Sequence, residues 1–402
     1  MIVMSAGVSF LGATIFRLML LFLVLLVILH REKPVNLYNY KYNLLFYIIW
    51  AIAVFFYFDI DLISSGQLLT YSSFFALIIA SYYATVALDD FFKTYVKVIY
   101  HLSVISFFFY AIQLTHLDLL VSILRSFDGL NLLFKQEVSR PSIIIFTYAT
   151  EGGVSLRNYG FATEPGEFSV FLILALMLHV TLNNFKIDKI IKVLILALLT
   201  TFSTSGYLGL VIFIAYVLLN KRFVYNKFWF AILALPAILL ILNQNFVIDK
   251  ITERSARDVV LYERAYEERI TPGRIGSLLL DVQDFNMNPL VGYGVHNSTR
   301  YANYGGIEQQ RSNGISDYLV RFGIVGFLIM VYNFYCTFHS LSSLSVARKK
   351  RNIYLIILAI FTVTFSQVIL TSPIFLAIQF YHFQVKSNVI HLWRKRVLAL
   401  AS

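Results

Sequence analysis

Residues 164–222 read EPGEFSVFLILALMLHVTLNNFKIDKIIKVLILALLTTFSTSGYLGLVIFIAYVLLNKR, and this stretch decides the architecture. It holds three apolar runs, about 166–183, 189–203 and 205–220. Lys186, Asp188, Lys189 and Lys192 gather at the first junction, Lys221 and Arg222 close the third run, and the junction Ser203-Thr204-Ser205-Gly206 carries no charge. A membrane helix needs roughly 20 predominantly apolar residues. The first run therefore predicts a span, and the two shorter runs predict a tight helical hairpin with Ser203–Gly206 at its tip. The same pattern recurs outward in both directions, giving eleven candidate spans at about 10–29, 43–58, 69–88, 98–116, 166–183, 189–203, 205–220, 228–247, 315–339, 353–371 and 373–390. The first is read as a span and not a signal peptide, because neither a basic leading region nor a small-residue cleavage site flanks it.

The whole-chain composition agrees. Of 402 residues, 58% are hydrophobic and 14% charged, against about a quarter charged in soluble domains. A water-bounded core cannot hide that apolar excess, which excludes a soluble enzyme, a coiled coil, a disordered chain and a disulfide scaffold. The single cysteine, Cys336, excludes an intramolecular disulfide and a cysteine metal site.

The net charge of +11 would raise the question of nucleic acid on a soluble protein. Its distribution answers differently. Alternate loops hold Arg31, Lys33 and Lys41; Lys93 and Lys97; Lys186, Lys189 and Lys192; Lys221, Arg222 and Lys227; Arg348 to Arg351; and Lys386, Arg394, Lys395 and Arg396. With Glu32, Asp89, Asp90 and Asp188 these loops carry +15, and the rest of the chain carries −4. By the positive-inside rule the basic set is cytoplasmic. The expectation is thus an all-α polytopic membrane protein, one integral membrane domain over 1–402, with about eleven transmembrane helices, the N-terminus outside and the C-terminus inside. No nucleic-acid partner is expected; the bilayer is.

Two external segments are long, 117–165 and 248–314, and long loops are usually functional. In the first, Leu117 to Phe134 is broken by Asp118, Arg125 and Asp128, which predicts an interfacial helix. In the second, a charged helical stretch runs from Asp249 to Ile270. Thr271 as N-cap and Pro272 at the first helical position then predict a short helix ending before Asn288-Pro289.

Ten of the twelve basic residues in these loops are arginines, whose planar fork suits phosphate or carboxylate. Those from 254 to 269 alternate with acidic residues and predict ion pairs along a helix. Arg157, in RNYGFATEPGEF, and Arg274, in TPGRIGSLL, have no acidic residue within three positions and are candidate anion ligands, with Arg311 nearby in sequence to the next span. Arg17 and Arg321 lie in or near apolar spans, where an ionisable residue points to function by default. For Arg321 an i,i+4 pair with Asp317 is the structural alternative; Arg17 either snorkels or faces a lumen and receives no role. Residues 288–297, NPLVGYGVHN, share VGYG with a potassium-channel filter but lack its threonine and the following acidic residue. The glycines instead predict a tight turn using positive φ, carrying Tyr293 and presenting His296 as a candidate base. Glu164 and Glu167 sit at the start of the fifth span, where they either complement the helix dipole or accept a proton. No HExxH, CxxC or GxSxG pattern occurs outside the spans, and no metal or other cofactor is expected.

The long late external loop, the arginine segment before an EP-type helix start, the STSG hairpin and the order GR…NPLVGYG…SNGISDYLVRFGIVGF together resemble the O-antigen polymerase (Wzy) and O-antigen ligase superfamily over about residues 157–335. The resemblance implies a GT-C-type, metal-independent membrane glycosyltransferase of lipopolysaccharide biosynthesis, in the bacterial inner membrane with its active site facing the periplasm. The polymerase would transfer a growing glycan from undecaprenyl diphosphate to the non-reducing end of another lipid-linked repeat unit. Arg157 and Arg274 fall on the family's two loop-arginine positions, with Arg311, Arg321, Tyr293 and Asn313 as further substrate-binding candidates. A chain-length regulator protein is a further candidate partner. Ligases carry a histidine in an HN pair where this chain has Ser312-Asn313, ahead of Gly323 to Gly326. That departure favours polymerase over ligase and leaves His296 or Glu164 as the candidate catalytic base. The alternatives are a ligase acting on lipid A core and, from a different class, a flippase for lipid-linked glycan; the latter is disfavoured because no internal repeat is evident.

Overall fold

The computed structural model describes residues 47–50, 65–87, 90–126, 142–143, 145–148, 156–220, 274–295, 300, 312–344 and 350–383. Spans expected at 10–29 and 228–247, most of 43–58, the 249–270 helix, and Arg17, His296 and Arg311 lie outside the described residues.

The described chain is mostly helical: α1 (Ser65–Ala87), α2 (Phe91–Thr115), α3 (Leu117–Arg125), α4 (Pro165–Leu182), α5 (Lys189–Thr200), α6 (Thr204–Leu218), α7 (Arg274–Met287), α8 (Gly314–Leu344), α9 (Lys350–Thr364) and α10 (Pro373–Phe383). A small antiparallel ladder, β1 (Ser142–Ile143) with β2 (Phe146–Thr147), is a local addition to the all-α expectation. Among the described residues, three helices are long and apolar enough to cross a membrane: α2, α4 and most of α8. These point to a membrane protein. α6 and α10 are apolar but shorter, and the twelve residues of α5 span only about 18 Å at 1.5 Å each.

α4 is the axis of the bundle. Its residues are buried almost without interruption from Pro165 to Thr181, and it touches α2, α5, α6, α8 and α9. That explains an apolar run with no polar stripe, because a helix surrounded on all sides has no face to give to solvent. α6 packs against α9 and α4 through Gly209, where a Cβ would lie 2.6 Å from Val363 Cγ1 and 3.0 Å from Ile173 Cγ1. Close backbone approach at small residues is the usual device of helix packing in lipid. Phe108, Leu196, Leu208, Leu328, Tyr332 and Leu358 point outward, more than half exposed. An apolar exterior around an apolar interior is what a lipid-bounded surface requires.

Several boundaries shift from those expected. α2 begins at Phe91 and not near 98, because Lys93 and Lys97 lie on its first turns with their charged heads exposed or half exposed while Phe91 and Phe92 are buried. α9 ends at Thr364 and not at 371: residues 365–372 form turns, and Pro373 opens α10, a position that disfavours helix in the residue before it. The interfacial helix is present as α3, with Leu120 and Leu124 packed on Phe146 and Tyr148. The hairpin expected at Ser203–Gly206 is also present, with Ser203 as N-cap of α6 accepting the Gly206 N–H.

α8 is broken at Gly323, whose φ of 64° and ψ of −177° are not helical. Such a break frees backbone groups that need partners inside a bundle. The NPLVGYG turn supplies them: the N–H groups of Tyr293 and Gly294 donate to the carbonyls of Val320 and Arg321, and Ile324 N–H donates to Pro289 O. Gly292 and Gly294 take the positive φ expected of them, 76° and 89°. Trp50 Nε1 donates to Val291 O at 2.8 Å, fastening the turn to the first described helical residues. Gly323→Ala is expected to destabilise by about 1–3 kcal/mol from the left-handed backbone alone, and its Cβ would also meet Leu290 O and come within 2.7 Å of Val291 N. An unchanged unfolding midpoint in detergent would show that the turn does not wedge the break.

The ends of the bundle differ in polarity. One end gathers Glu164, Thr201, Ser203, Asn313 and the 365–372 turn; the other gathers Lys93, Lys97, His179, Asn183, Asp188, Asn220 and Asn352. At this second end Asp188 caps α5, accepting from the N–H groups of Ile190 and Ile191, and lies 2.9 Å from His179 Nε2. Partial burial pushes the Asp188 carboxyl up, but the His179 contact and the two backbone N–H donors more than offset this and hold it below its ordinary value. Its stabilising contribution is therefore present above the ordinary aspartate range, near pH ~3.9, and is lost as pH falls through the lowered folded value. Asp188→Ala is expected to cost about 1 kcal/mol at neutral pH, and the gap in unfolding midpoint should close on strong acidification. A gap independent of pH would contradict the cap.

Candidate functional site

The arginine end is assembled from two parts. In the first, the segment before α4 is pinned to its neighbours by Asn158, which is fully buried. Its Nδ2 donates to Ser106 Oγ at 3.1 Å and Thr200 Oγ1 at 3.0 Å, and its N–H donates to Thr200 O at 2.9 Å. Gln113 Nε2 donates to Arg157 O at 3.1 Å, and Tyr110 hydroxyl donates to Leu156 O at 2.8 Å. Arg157 is half-buried, and its Nε donates to Thr201 O at 3.1 Å. The guanidinium is thus mounted on a rigid segment, with its orientation set by the tip of the α5–α6 hairpin.

Glu164 is the N-cap residue of α4, with extended backbone and no side-chain capping bond. Its carboxylate is exposed and accepts from Gln367 Nε2 at 3.2 Å. Glu167, one turn on, turns inward: its Oε2 accepts the Thr163 N–H at 3.0 Å and the Thr163 hydroxyl at 2.7 Å. The two carboxylates that look equivalent in sequence are therefore distinct, since Glu167 closes the helix start and Glu164 faces outward. Hydroxyl groups continue from there into the bundle, with Ser169 to Ser203 at 3.2 Å and Ser366 to Ser205 at 2.7 Å.

The second part joins α7 to α8. Arg300 is almost fully buried and pairs with Asp281 at 3.5 Å and, more closely, with Asp317. Asp317 also accepts from Arg321 Nε at 2.7 Å, which is the i,i+4 pair that stood as the structural alternative to an anion-binding role for Arg321. Arg321 Nη1 further donates to Val295 O at 2.9 Å, and Ser316 hydroxyl donates to Asp281. Burial pushes the Arg300 guanidinium down, but Asp317 and Asp281 outweigh it and hold it above its ordinary value, so it stays charged. Asn313 is the N-cap of α8 by its bonds: its Oδ1 accepts the N–H groups of Ile315 and Ser316. Tyr293 is buried, 5% exposed, within the turn that fills the α8 break.

The parts meet. Gly314 abuts the carbonyls of Gln367 and Thr364, so closely that a Cβ has no room, and Gln367 reaches Glu164. Ser312 N–H donates to Ser277 Oγ at 3.2 Å, and Ser277 lies one turn from Arg274, the half-buried first residue of α7. Contacts thus run from Glu164 through Gln367 and the start of α8 to α7. Arg157, Glu164, Arg274, Arg321, Tyr293 and Asn313 belong to this end. Arg321, Tyr293 and Asn313 are engaged in holding it together, whereas Arg157, Glu164 and Arg274 stand at its half-buried or exposed margin.

Sequence reasoning passed over Arg300 and Asn158. A signal for Arg300 existed: Asp281 and Asp284 fall one turn apart on the face of α7 that also holds Gly276, Ser277 and Leu280, all buried, and buried carboxylates call for a cation from elsewhere. Among the described residues, no group of three or more His, Cys, Asp or Glu is placed to hold a metal ion. No protein family, curated protein or solved structure matched this chain in the comparisons made.

Proposed function

We propose that this chain is a polysaccharide repeat-unit polymerase of the bacterial inner membrane, with about eleven spans, its arginine end in the periplasm and its lysine end in the cytoplasm. The observation that carries the reading is the mounting of Arg157 on the rigid segment before α4, held to Thr201 O, at the end of the bundle that also holds Glu164 and lies opposite the basic loops. A lipid diphosphate leaving group develops negative charge as its bond to the anomeric carbon breaks, and a preorganised guanidinium offsets that charge. The acceptor hydroxyl oxygen attacks the anomeric carbon and its proton passes to a base. Glu164 is the described candidate for that base, and His296 the candidate outside the described residues. The glycan is thereby moved to the non-reducing sugar of a second lipid-linked repeat unit, and undecaprenyl diphosphate departs. The GT-C type of membrane glycosyltransferase and a chain-length regulator as partner belong to the same proposal.

Polysaccharide from a deletion strain, resolved on a silver-stained gel, tests it. Lipid A core capped with a single repeat unit is the expected result. Complete loss of capping would indicate a ligase, and accumulation of precursor on the cytoplasmic face would indicate a flippase; either outcome sinks the polymerase assignment.

A further inference from the structure

The lysine end carries two adjoining cavities. One, of about 160 Å³, is lined by Lys93, Lys97, His179, Asn183 and Asp188 over a floor that includes Val96, Leu182 and Ile190. The other, of about 210 Å³, shares Lys93 and Leu182 and continues past Asp90 to Phe92, Thr181, Leu341 and Tyr381. Lys93 and Lys97 stand one turn apart on α2, so both ammonium groups address the same mouth. Asp188 stays ionised on the same lining, its oxygens engaged by the α5 N–H groups and His179. Lys93 pairs with Asp90 at 3.1 Å, but both side chains are more than half exposed, and an exposed pair of this kind is weak enough for a stronger anion to displace. Lys97 pairs with no carboxylate among the described residues. Lys186, Lys189 and Lys192, in the neighbouring turn and on α5, add positive field.

We infer that this cleft binds the phosphate of an anionic phospholipid, with the headgroup phosphate between Lys93 and Lys97 and the start of the acyl chains against Val96, Leu182 and Ile190. Cationic groups at a mouth with an aliphatic floor match a phosphodiester joined to hydrocarbon, and basic pockets between membrane helices on the cytoplasmic side are suited to such headgroups. A free phosphate ion would use the same lysines without the floor. The inference rests on the membrane placement in the proposed function and is independent of glycosyl transfer.

The test is the unfolding midpoint of the purified full chain in detergent, titrated with phosphatidylglycerol, with phosphatidylcholine, and with inorganic phosphate alone. Phosphatidylglycerol is expected to raise the midpoint and phosphatidylcholine to leave it unchanged. The rise should be reduced in Lys97→Gln and lost in Lys93→Gln/Lys97→Gln, with both variants keeping the wild-type midpoint in detergent alone. A response equal for both lipids, or unchanged in the double variant, overturns the site; a response to inorganic phosphate with none to phosphatidylglycerol overturns its assignment to lipid. Membrane placement is read separately: Lys97→Cys, in a Cys336→Ser background, should react with an impermeant maleimide only after the cells are opened. Labelling of intact spheroplasts would contradict the placement without touching the lipid titration.

Discussion

Arg157→Ala is expected to abolish long-chain polysaccharide while the protein still accumulates in the membrane. A preorganised donor aimed at developing charge is worth roughly 10²–10³ in rate, and a polymer built by repeated transfer shows such a loss as the disappearance of its longest chains. The side chain also has a structural bond, Nε to Thr201 O at 3.1 Å, whose loss costs about 1 kcal/mol. Arg157→Lys separates the two contributions, because it keeps a positive charge but loses the planar fork. Short chains are expected from the lysine variant and none from the alanine variant. Arg274→Ala should behave as Arg157→Ala does, for Arg274 stands at the start of α7 on the same end of the bundle. Wild-type chain lengths in both alanine variants, by gel electrophoresis of extracted polysaccharide, would remove the arginines from the mechanism.

The largest effect on stability is expected at Arg300. With side-chain exposures of 1% for Arg300, 0% for Asp281 and 2% for Asp317, removing the cation leaves buried carboxylates uncompensated, at a cost of about 3–5 kcal/mol. Arg300→Met should therefore lower the unfolding midpoint sharply and reduce the amount of protein in the membrane. Adding Asp281→Asn should recover part of the loss, because residues within one network do not act additively. Equal and additive losses would mean that the pair is incidental. Since the same network fixes Asp317, and through it Arg321 and the Val295 carbonyl, its rupture should also loosen the turn that fills the α8 break.

The legible parts of the fold were those written in local signals. The helix start at the EP segment, the hairpin tip at Ser203–Gly206 and the Asp317–Arg321 pairing offered as an alternative each rest on residues within about one helical turn, and the structure shows each. The end of α9 is less legible, since residues 365–372 are largely apolar and only Pro373 marks that the helix has already stopped. Arg300 lies 19 and 17 residues from its two carboxylates, a separation that no periodicity predicts. The break at Gly323 shows the same limit. Gly323 and the NPLVGYG turn are each recognisable as punctuation, but that one repairs the backbone of the other is a property of the folded chain. The difference between Glu164 and Glu167 also follows only from the fold, because their roles are divided by which way each points from the start of α4.

The central claim, transfer of glycan between lipid diphosphates at the arginine end, is tested most directly by reconstituting the purified full chain in lipid nanodiscs with an undecaprenyl-diphosphate-linked repeat unit and a metal chelator. The predicted result is a ladder of lipid-linked oligomers that is absent with Arg157→Ala. A wild-type protein that leaves only the single repeat unit, or an undiminished ladder from the variant, would contradict it.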